Sequence, residues 1–369
     1  MSKPRIAVVG GGLFGVTAAV ELAKQNYAVT LYEREPRLLS CATGSNQNRL
    51  HLGYHYPRSR DTAIQLKASR DDFMEMYSAA VVGDVDHYYA IASQNSRTSA
   101  AEFLQFCATM QLPYEIASPW MLREDAVDLC VKVPEALVDP EMLRTVSLAN
   151  LRQSGVAVHL GTAATARILS DYDFIILATY ANLNELGEQL GIAAKQYLFQ
   201  VCEKPAVRFP TTFGKHSVVI IDGPFMCFDP LGNTDLFLLG NVCHAIHARN
   251  IGVRARIPRP LVDVLNQGII TNPPQSNYGL FVHSLKTYFM GAEDAVYCGS
   301  LFTVRSVLPY VEDTDERPTV LAQHNGRVFS VWSGKLLTCV SIAKHLASRI
   351  HDSLSSKPPL WRSLCKRPE

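Results

Sequence analysis

The stretch from Arg5 to Arg34 constrains the fold of this chain more than any other part. Ile6-Ala7-Val8-Val9 is a short apolar, β-branched run of the kind found in buried parallel strands. Gly10, Gly12 and Gly15 follow with the spacing G-x-G-x-x-G, enclosing Leu13 and Phe14, and Thr17 to Gln25 reads as an amphipathic helix. Ala28 to Tyr32 is a second strand, ending at Glu33 and Arg34, with Glu33 18 residues after Gly15. Each part has a physical task. Gly10 permits a tight turn, Gly12 lets backbone approach a pyrophosphate, and Gly15 lets the helix pack closely on the strand. The helix N-terminus offers unpaired N–H groups and partial positive charge to phosphates. Glu33 is placed to accept hydrogen bonds from ribose hydroxyls. The pattern predicts a dinucleotide site without saying which dinucleotide.

Composition narrows the setting. With 47% hydrophobic and 19% charged residues over 369 positions, the chain has the make-up of a soluble globular protein of one or two domains. A net charge of +1 gives no electrostatic reason to expect nucleic acid or an anionic membrane as partner. Nine cysteines are scattered without a C-x-x-C pair, which argues against a zinc site or disulfide framework and suits a reducing cytoplasm. No run has the length and character of a membrane span or a cleaved leader, so no membrane insertion is expected.

Residues 38–60 lack helical or strand periodicity and are rich in Ser, Asn, Gly and His, the mark of a functional loop. Helices are expected at 62–79, 99–110, 140–154, 261–269, 278–290 and 337–351. Strands are expected at 87–92, 156–160, 173–178, 199–207, 217–222, 236–240, 296–304 and 327–331. From Gln196 to Gly240 strands alternate with turns, as in an antiparallel sheet distinct from the parallel one.

Three further groups bear chemistry. In the loop 44–56, Ser45, Asn46 and Asn48 are small polar side chains suited to phosphate or ribose oxygens. Gly53 would let backbone approach a flat ring, and His51, Tyr54, His55 and Tyr56 would line its substrate face. Ser333-Gly334-Lys335-Leu336-Leu337-Thr338 reads as the opening of the last helix, whose N-terminus would stabilise negative charge. Arg305, expected just past a strand, is suited to a bidentate grip on a carboxylate or phosphate. His244 and His247 come at a strand end with no third metal ligand beside them.

With the glycine fingerprint, the loop, the segment Asp173 to Ala178-Thr179-Tyr180, and the C-terminal Gly-Lys-Leu-x-Thr element, the chain resembles the FAD-dependent oxidoreductases of the D-amino-acid oxidase superfamily. It is most similar to the L-2-hydroxyglutarate oxidase and glycerol-3-phosphate dehydrogenase branches. The resemblance implies an α/β fold: a Rossmann-type FAD-binding domain with an inserted antiparallel-sheet α+β substrate domain. Residues 1–60, 134–195 and 296–352 would form the first, 61–133 and 196–295 the second, and 353–369 a tail. FAD would lie on Gly10, Gly12, Leu13, Phe14, Gly15, Glu33, Arg34, Ser45, Asn46, Asn48, Gly53, Ala178, Thr179, Gly334, Lys335, Leu336 and Thr338. The resemblance makes His51 and Arg305 catalytic and Arg305 and Arg317 substrate contacts; the residues themselves add Tyr54 as catalytic and His55 and His247 as substrate contacts. The chain departs from the family pattern at Trp332-Ser333-Gly334, where a second glycine is usual, and at Tyr180, where glycine is commoner.

The expected reaction is hydride transfer from a C–H bearing an amino or hydroxyl group of a small anionic substrate to flavin N5. The flavin's electron acceptor, O2 or a quinone, and the oligomeric state are left open. The alternative is a redox-neutral flavoprotein of the nucleotide-sugar mutase type; a non-catalytic nucleotide-binding protein and an NAD dehydrogenase rank below it.

Overall fold

A computed structural model describes residues 3–311 and 316–355, so most of the expected tail lies outside the described residues. In chain order its strands are β1 (Arg5–Val9), β2 (Ala28–Tyr32), β3 (Arg49–Leu50), β4 (Val81–Val82), β5 (Asp86–Ala92), β6 (Glu115–Ile116), β7 (Val127–Val133), β8 (Ala136–Val138) and β9 (Ala157–His159). They continue with β10 (Phe174–Leu177), β11 (Tyr197–Arg208), β12 (His216–Ile221), β13 (Met226–Pro230), β14 (Phe237–Asn241), β15 (Ile246–Gly252), β16 (Val296–Val307), β17 (Val320–His324) and β18 (Val328–Trp332). The α-helices are α1 (Leu13–Lys24), α2 (Arg60–Tyr77), α3 (Ala100–Met110), α4 (Pro140–Gln153), α5 (Ala166–Leu169), α6 (Leu183–Gln189), α7 (Tyr278–Tyr288) and α8 (Cys339–Ser355). The described residues fall into two compact units, one drawn from Met1–Leu38, Ser147–Ala193 and Thr319–Glu369, the other from Leu39–Val146 and Ala194–Pro318.

The first unit holds a six-stranded sheet of order β17-β18-β10-β1-β2-β9. Strands β18, β10, β1, β2 and β9 are parallel and β17 is antiparallel to β18. Parallel strands covered on both faces must be apolar throughout, which is why Ile6, Ala7, Val8, Ile175 and Ile176 are wholly buried. Helix α1 starts at Leu13, four residues before the expected position, because extended Gly12 (φ −71°, ψ 174°) serves as its N-cap. It packs against α8. Since β2 lies on one side of β1 and β10 on the other, the strand order reverses direction at β1. The crevice at the carboxyl ends of the strands there is where open α/β sheets bind ligands.

The second unit is built on a nine-stranded sheet, with β3-β8-β4 as a small sheet beside it. Strand β11 pairs along its length with β16, and on its other edge with β15 and then β14. From there the order runs β13, β12, β5, β7, β6. One face carries Tyr88, Ile220, Phe228 and Leu239 against Phe281 and Leu285 of α7. The opposite face carries Tyr89, Val131 and Val219 against Phe103 and Cys107 of α3.

Several expectations change. Residues 296–318 were expected with the nucleotide domain, but β16 is hydrogen-bonded to β11 and belongs to the second unit, as do residues 39–60 and 134–146. The helix expected at 261–269 is only a 3-10 stretch, Arg259–Val264, which ends where Leu265 turns extended (φ −64°, ψ 128°). Strands β3, β4, β6, β7, β8, β13, β15 and β17 are additional to those expected. The last helix is preceded by a 3-10 turn, Leu336–Thr338.

Candidate functional site

In the first unit the predicted nucleotide residues converge on one sheet edge. Gly10 follows β1, Glu33 follows β2, Ala178 and Thr179 follow β10, and Ser333 and Gly334 follow β18. Gly10 has φ +107°, and a Cβ there would lie 2.5 Å from the Ala178 carbonyl oxygen. A Cβ on Gly15 would lie 1.8 Å from the Gly10 carbonyl oxygen, so no other residue fits. No side chain caps the N-terminus of α1, the end of a helix that favours an anion. The Thr179 hydroxyl is buried without a hydrogen-bond partner at this edge. Glu33 accepts hydrogen bonds from the N–H groups of Gly11 (2.5 Å) and Glu35 (2.8 Å), which fixes its carboxylate at the end of β2. These features fit an adenine dinucleotide diphosphate. Arg34 instead makes surface ion pairs with Glu35 (3.4 Å) and Glu185 (3.8 Å).

Lys335, Leu336 and Thr338 lie on the turn before α8. The hydroxyls of Thr319, Ser333 and Thr338 form a triad, with Thr319 2.8 Å from Ser333 and 2.7 Å from Thr338. Ser333 Oγ also accepts from the Lys335 N–H. The triad stiffens the turn and leaves exposed Gly334 with open space above it.

In the second unit, a chain of polar groups crosses the sheet under the loop 44–56. Gln47, Arg49 and His51 reach successive strands. Gln47 accepts from Lys204 on β11 and lies 3.7 Å from the Cys227 thiol on β13. It occupies the place a side chain on residue 240 of β14 would take: a Cβ on Gly240 would lie 2.3 Å from Gln47 Nε2. Arg49 donates twice to Asp229 on β13 (2.6 and 2.7 Å), and Ser217 on β12 donates to the same carboxylate (2.6 Å). His51 Nδ1 lies 3.4 Å from the Tyr89 hydroxyl on β5 and 3.7 Å from Glu135. Glu135 is fully enclosed and accepts from the Leu52 N–H (2.6 Å) and the Tyr89 hydroxyl (2.8 Å). Burial pushes the Glu135 carboxyl above, and the Lys204 ammonium below, their ordinary ranges. At the other end of the chain, Arg305 of β16 donates from Nε (2.8 Å) and Nη2 (2.5 Å) to the amide oxygen of Gln200 on β11.

The positions of other predicted residues revise their roles. Arg305 lies within β16, not after it, and is held by its cross-strand neighbour Gln200. Tyr54 is a core residue: wholly buried, stacked on Tyr89 at 5.8 Å, with its hydroxyl donating to the Pro113 carbonyl. Gly53 (φ +122°) meets Ala63 of α2, which a Cβ would approach to 3.0 Å. Asn46 folds its own loop, donating to the carbonyls of Ala42 and Thr43 and accepting from the Asn48 N–H. Buried Asn48 takes the left-handed conformation (φ 54°), and its Oδ1 has no hydrogen-bond partner; Ser45 is buried beside this turn. The His55 ring lies 5.3 Å from that of His51 and 5.1 Å from that of Tyr56. Arg317 donates from its guanidinium to the Glu316 carbonyl and from its backbone N–H to Thr62.

His247 faces away from Arg305. It bonds Glu203 (2.8 Å), and Glu203 alternates with Gln200 and Lys204 along β11, so it points to the opposite side of the sheet. Burial raises the Glu203 carboxyl, but hydrogen bonds from His247, Asn277, Ser276 and Ser300 outweigh it and hold it below the usual range. His244 bonds Ser284 (2.7 Å) and packs on Phe281. Among the described residues no group of His, Cys, Asp and Glu could hold a metal. Lys204, Asp229, Glu135 and Gln200 were not among the sequence candidates. Their signal was the period-two pattern Gln47-x-Arg49-x-His51 above a sheet rich in isolated buried polar residues.

Residues 5–339 match the family described as DAO, FAD dependent oxidoreductase. The chain belongs to this family of FAD-dependent oxidoreductases. FAD is accordingly its cofactor, and the features at the carboxyl edge of the first sheet fit the diphosphate of that group. The chain is 27% identical over 366 residues to the FAD-dependent monooxygenase FPY4 of Fusarium mangiferae, covering 94% of this chain and 91% of that protein. A 159-residue stretch is 30% identical to the FAD-dependent monooxygenase kojA of Aspergillus flavus, over 42% of this chain and 33% of that one. Among solved structures, L-α-glycerophosphate oxidase from Mycoplasma pneumoniae superposes with a TM-score of 0.71 at 16% identity, covering 95% of each chain. Glycine oxidase from Geobacillus kaustophilus gives 0.68 at 17% identity, covering 97% of this chain and 96% of that one. At these identities the structures speak for the fold. No described helix is long and apolar enough to cross a membrane.

Proposed function

We propose that this oxidoreductase oxidises a C–N or C–OH bond of a small anionic substrate, such as an amino acid or hydroxy acid. Arg305 carries the reading. It is a half-buried guanidinium whose position is set by the neutral Gln200 amide, and no described carboxylate pairs with it. A cation held this way keeps donors for a substrate carboxylate, in the forked geometry that arginine matches. Bound FAD supplies a hydride acceptor at N5.

The protein's own contribution is to hold and polarise. Arg305 fixes the acid end of the substrate. His51, pinned through its loop by Glu135 and beside the Tyr89 hydroxyl, is placed to take the proton from the substrate amine or hydroxyl as the C–H bond breaks. Glycine oxidase and the L-amino acid deaminase of Proteus vulgaris, which share the fold, are named for amino-acid substrates and support this reading, whereas the two fungal relatives are named monooxygenases.

The test is the absorbance of the FAD-loaded protein under anaerobic conditions, read after adding panels of amino acids and hydroxy acids. Bleaching of the oxidised flavin by one class, lost in Arg305→Met, is expected. A flavin that no acid bleaches, with a product that gains an oxygen atom from O2, would replace the reading with monooxygenation. A flavin left unbleached with no net oxidation would favour the redox-neutral alternative.

A further inference from the structure

We infer that the second unit carries a subsite for a second acidic group of the substrate, built from Lys204 and Gln47, so that the preferred substrate is a dicarboxylate. The inference rests on the reading of Arg305 as the first anion anchor.

The argument starts from register. Across the β11–β16 pair, Gln200 faces Arg305, Cys202 faces Thr303 and Lys204 faces Leu301. Side chains two or four positions apart on a strand share a face, so Arg305, Gln200 and Lys204 point to the same side of the sheet. Four residues of strand put their backbones about 13 Å apart, at roughly 3.3 Å per residue. Two cationic side chains of that length on one face can span much of that gap, and Lys204 feels the Arg305 charge. What remains is the length of a short dicarboxylate.

Lys204 also lacks the carboxylate partner that a half-buried ammonium needs. Its bond to protein goes to the Gln47 amide oxygen, and no described carboxylate forms an ion pair with it. Asp229, whose charge it feels, is already committed to both nitrogens of Arg49 and to Ser217. Burying a cation against a neutral amide is costly unless a ligand brings the compensating charge. Both cations therefore share one design: each is steered by a glutamine carbonyl, Arg305 by Gln200 and Lys204 by Gln47, and each keeps N–H donors to spare. A monocarboxylate satisfies one of them. A dicarboxylate satisfies both.

The test uses the FAD-loaded protein with malonate, succinate and glutarate against acetate, propionate and butyrate. Binding is followed by perturbation of the flavin spectrum and by the shift in melting temperature. At least one dicarboxylate is expected to bind about tenfold or more tightly than its monocarboxylate counterpart. Lys204→Met should abolish that ratio while leaving the flavin bound and monocarboxylate affinity within about threefold. Gln47→Leu should reduce the ratio in the same direction without removing the charge. Equal affinity for the two series in the unaltered protein would overturn the subsite, as would a preference that survives Lys204→Met. Failure of the underlying reading looks different: Arg305→Met would then leave the affinity of both series unchanged.

Discussion

Replacing Asp229 by asparagine tests the picture of a polar chain pinned across the sheet. Arg49 and Asp229 are among the most enclosed charges described, with side-chain exposures of 3% and 0%. They are joined by two bonds of 2.6 and 2.7 Å. Taking away one partner of such a pair leaves an uncompensated charge in the interior, at a cost of about 3–5 kcal/mol. At roughly 2–4 °C per kcal/mol for a domain of 150–250 residues, Asp229→Asn should lower the melting temperature by about 6–20 °C. Melting would be followed by tryptophan fluorescence at saturating FAD, so that ligand occupancy does not differ between variants. Ser217→Ala, which removes only the third bond to the carboxylate, should cost about 1.5–3 kcal/mol. The combined replacement Arg49→Met with Asp229→Leu should recover most of the loss, because a buried pair exchanged for packed apolar groups is often near neutral. Activity should not recover with it, since Arg49 is the middle anchor of the stretch that carries Gln47 and His51. An Asp229→Asn protein melting within 2 °C of the parent would refute the reasoning. So would a combined variant as unstable as the sum of the two single changes.

Other expectations concern separate parts of the molecule. Gly15→Ala forces a methyl group onto the Gly10 carbonyl, and the purified protein should lose its yellow colour and its affinity for added FAD; normal flavin content would show that the turn tolerates the shift. Tyr54→Phe should cost about 1 kcal/mol of stability through the bond to Pro113 and leave kcat and KM within twofold. A collapse of kcat would restore Tyr54 to the reacting centre. Burial holds His87 down to about 4. It is neutral in both folded and unfolded chains above pH 6.5, and as pH falls the unfolded chain takes up a proton that the folded one refuses. Stability present above pH 6.5 is therefore lost towards pH 4, by about 3 kcal/mol at 1.36 kcal/mol per unit. His87→Gln should flatten the dependence between pH 6.5 and 4, and an unchanged slope in urea titrations would count against the assignment. Tyr89→Phe removes the hydroxyl between Glu135 and His51 and should lower kcat about tenfold with a displaced pH profile; a fall in stability alone would leave Tyr89 a packing residue.

The parts of this protein that a sequence discloses are those whose physics is local. The fingerprint from Ile6 to Glu33 was legible because turn, helix start and both strands are consecutive, and the structure changes only where α1 begins. The irregular loop 44–56 was visible as a place of function, but the division of labour inside it was not. Whether Tyr54 points at a substrate or into the core is decided by Tyr89 and Pro113, far along the chain. Lys204 gave no signal in its own neighbourhood, since its meaning comes from Gln47 and from the strand register with β16. Strand β13 was hidden because Asp229 and Pro230 break its apolar run, and edge strand β15 because Arg249 and Asn250 interrupt its pattern. His247 shows the limit from the other side: histidine chemistry suggested a site, and a cross-strand carboxylate made it structural.

Gly240 has a consequence out of proportion to its size. With no side chain there, β14 leaves a vacant seat on the sheet, and Gln47 sits in it with the Cys227 thiol close by. A mutation to any larger residue would evict Gln47, and Lys204 would lose the carbonyl that aims it without either polar residue having changed. On the dicarboxylate proposal, selectivity is thus written partly as empty space. A comparison of related chains for substrate preference would read that position first, although it touches nothing that reacts.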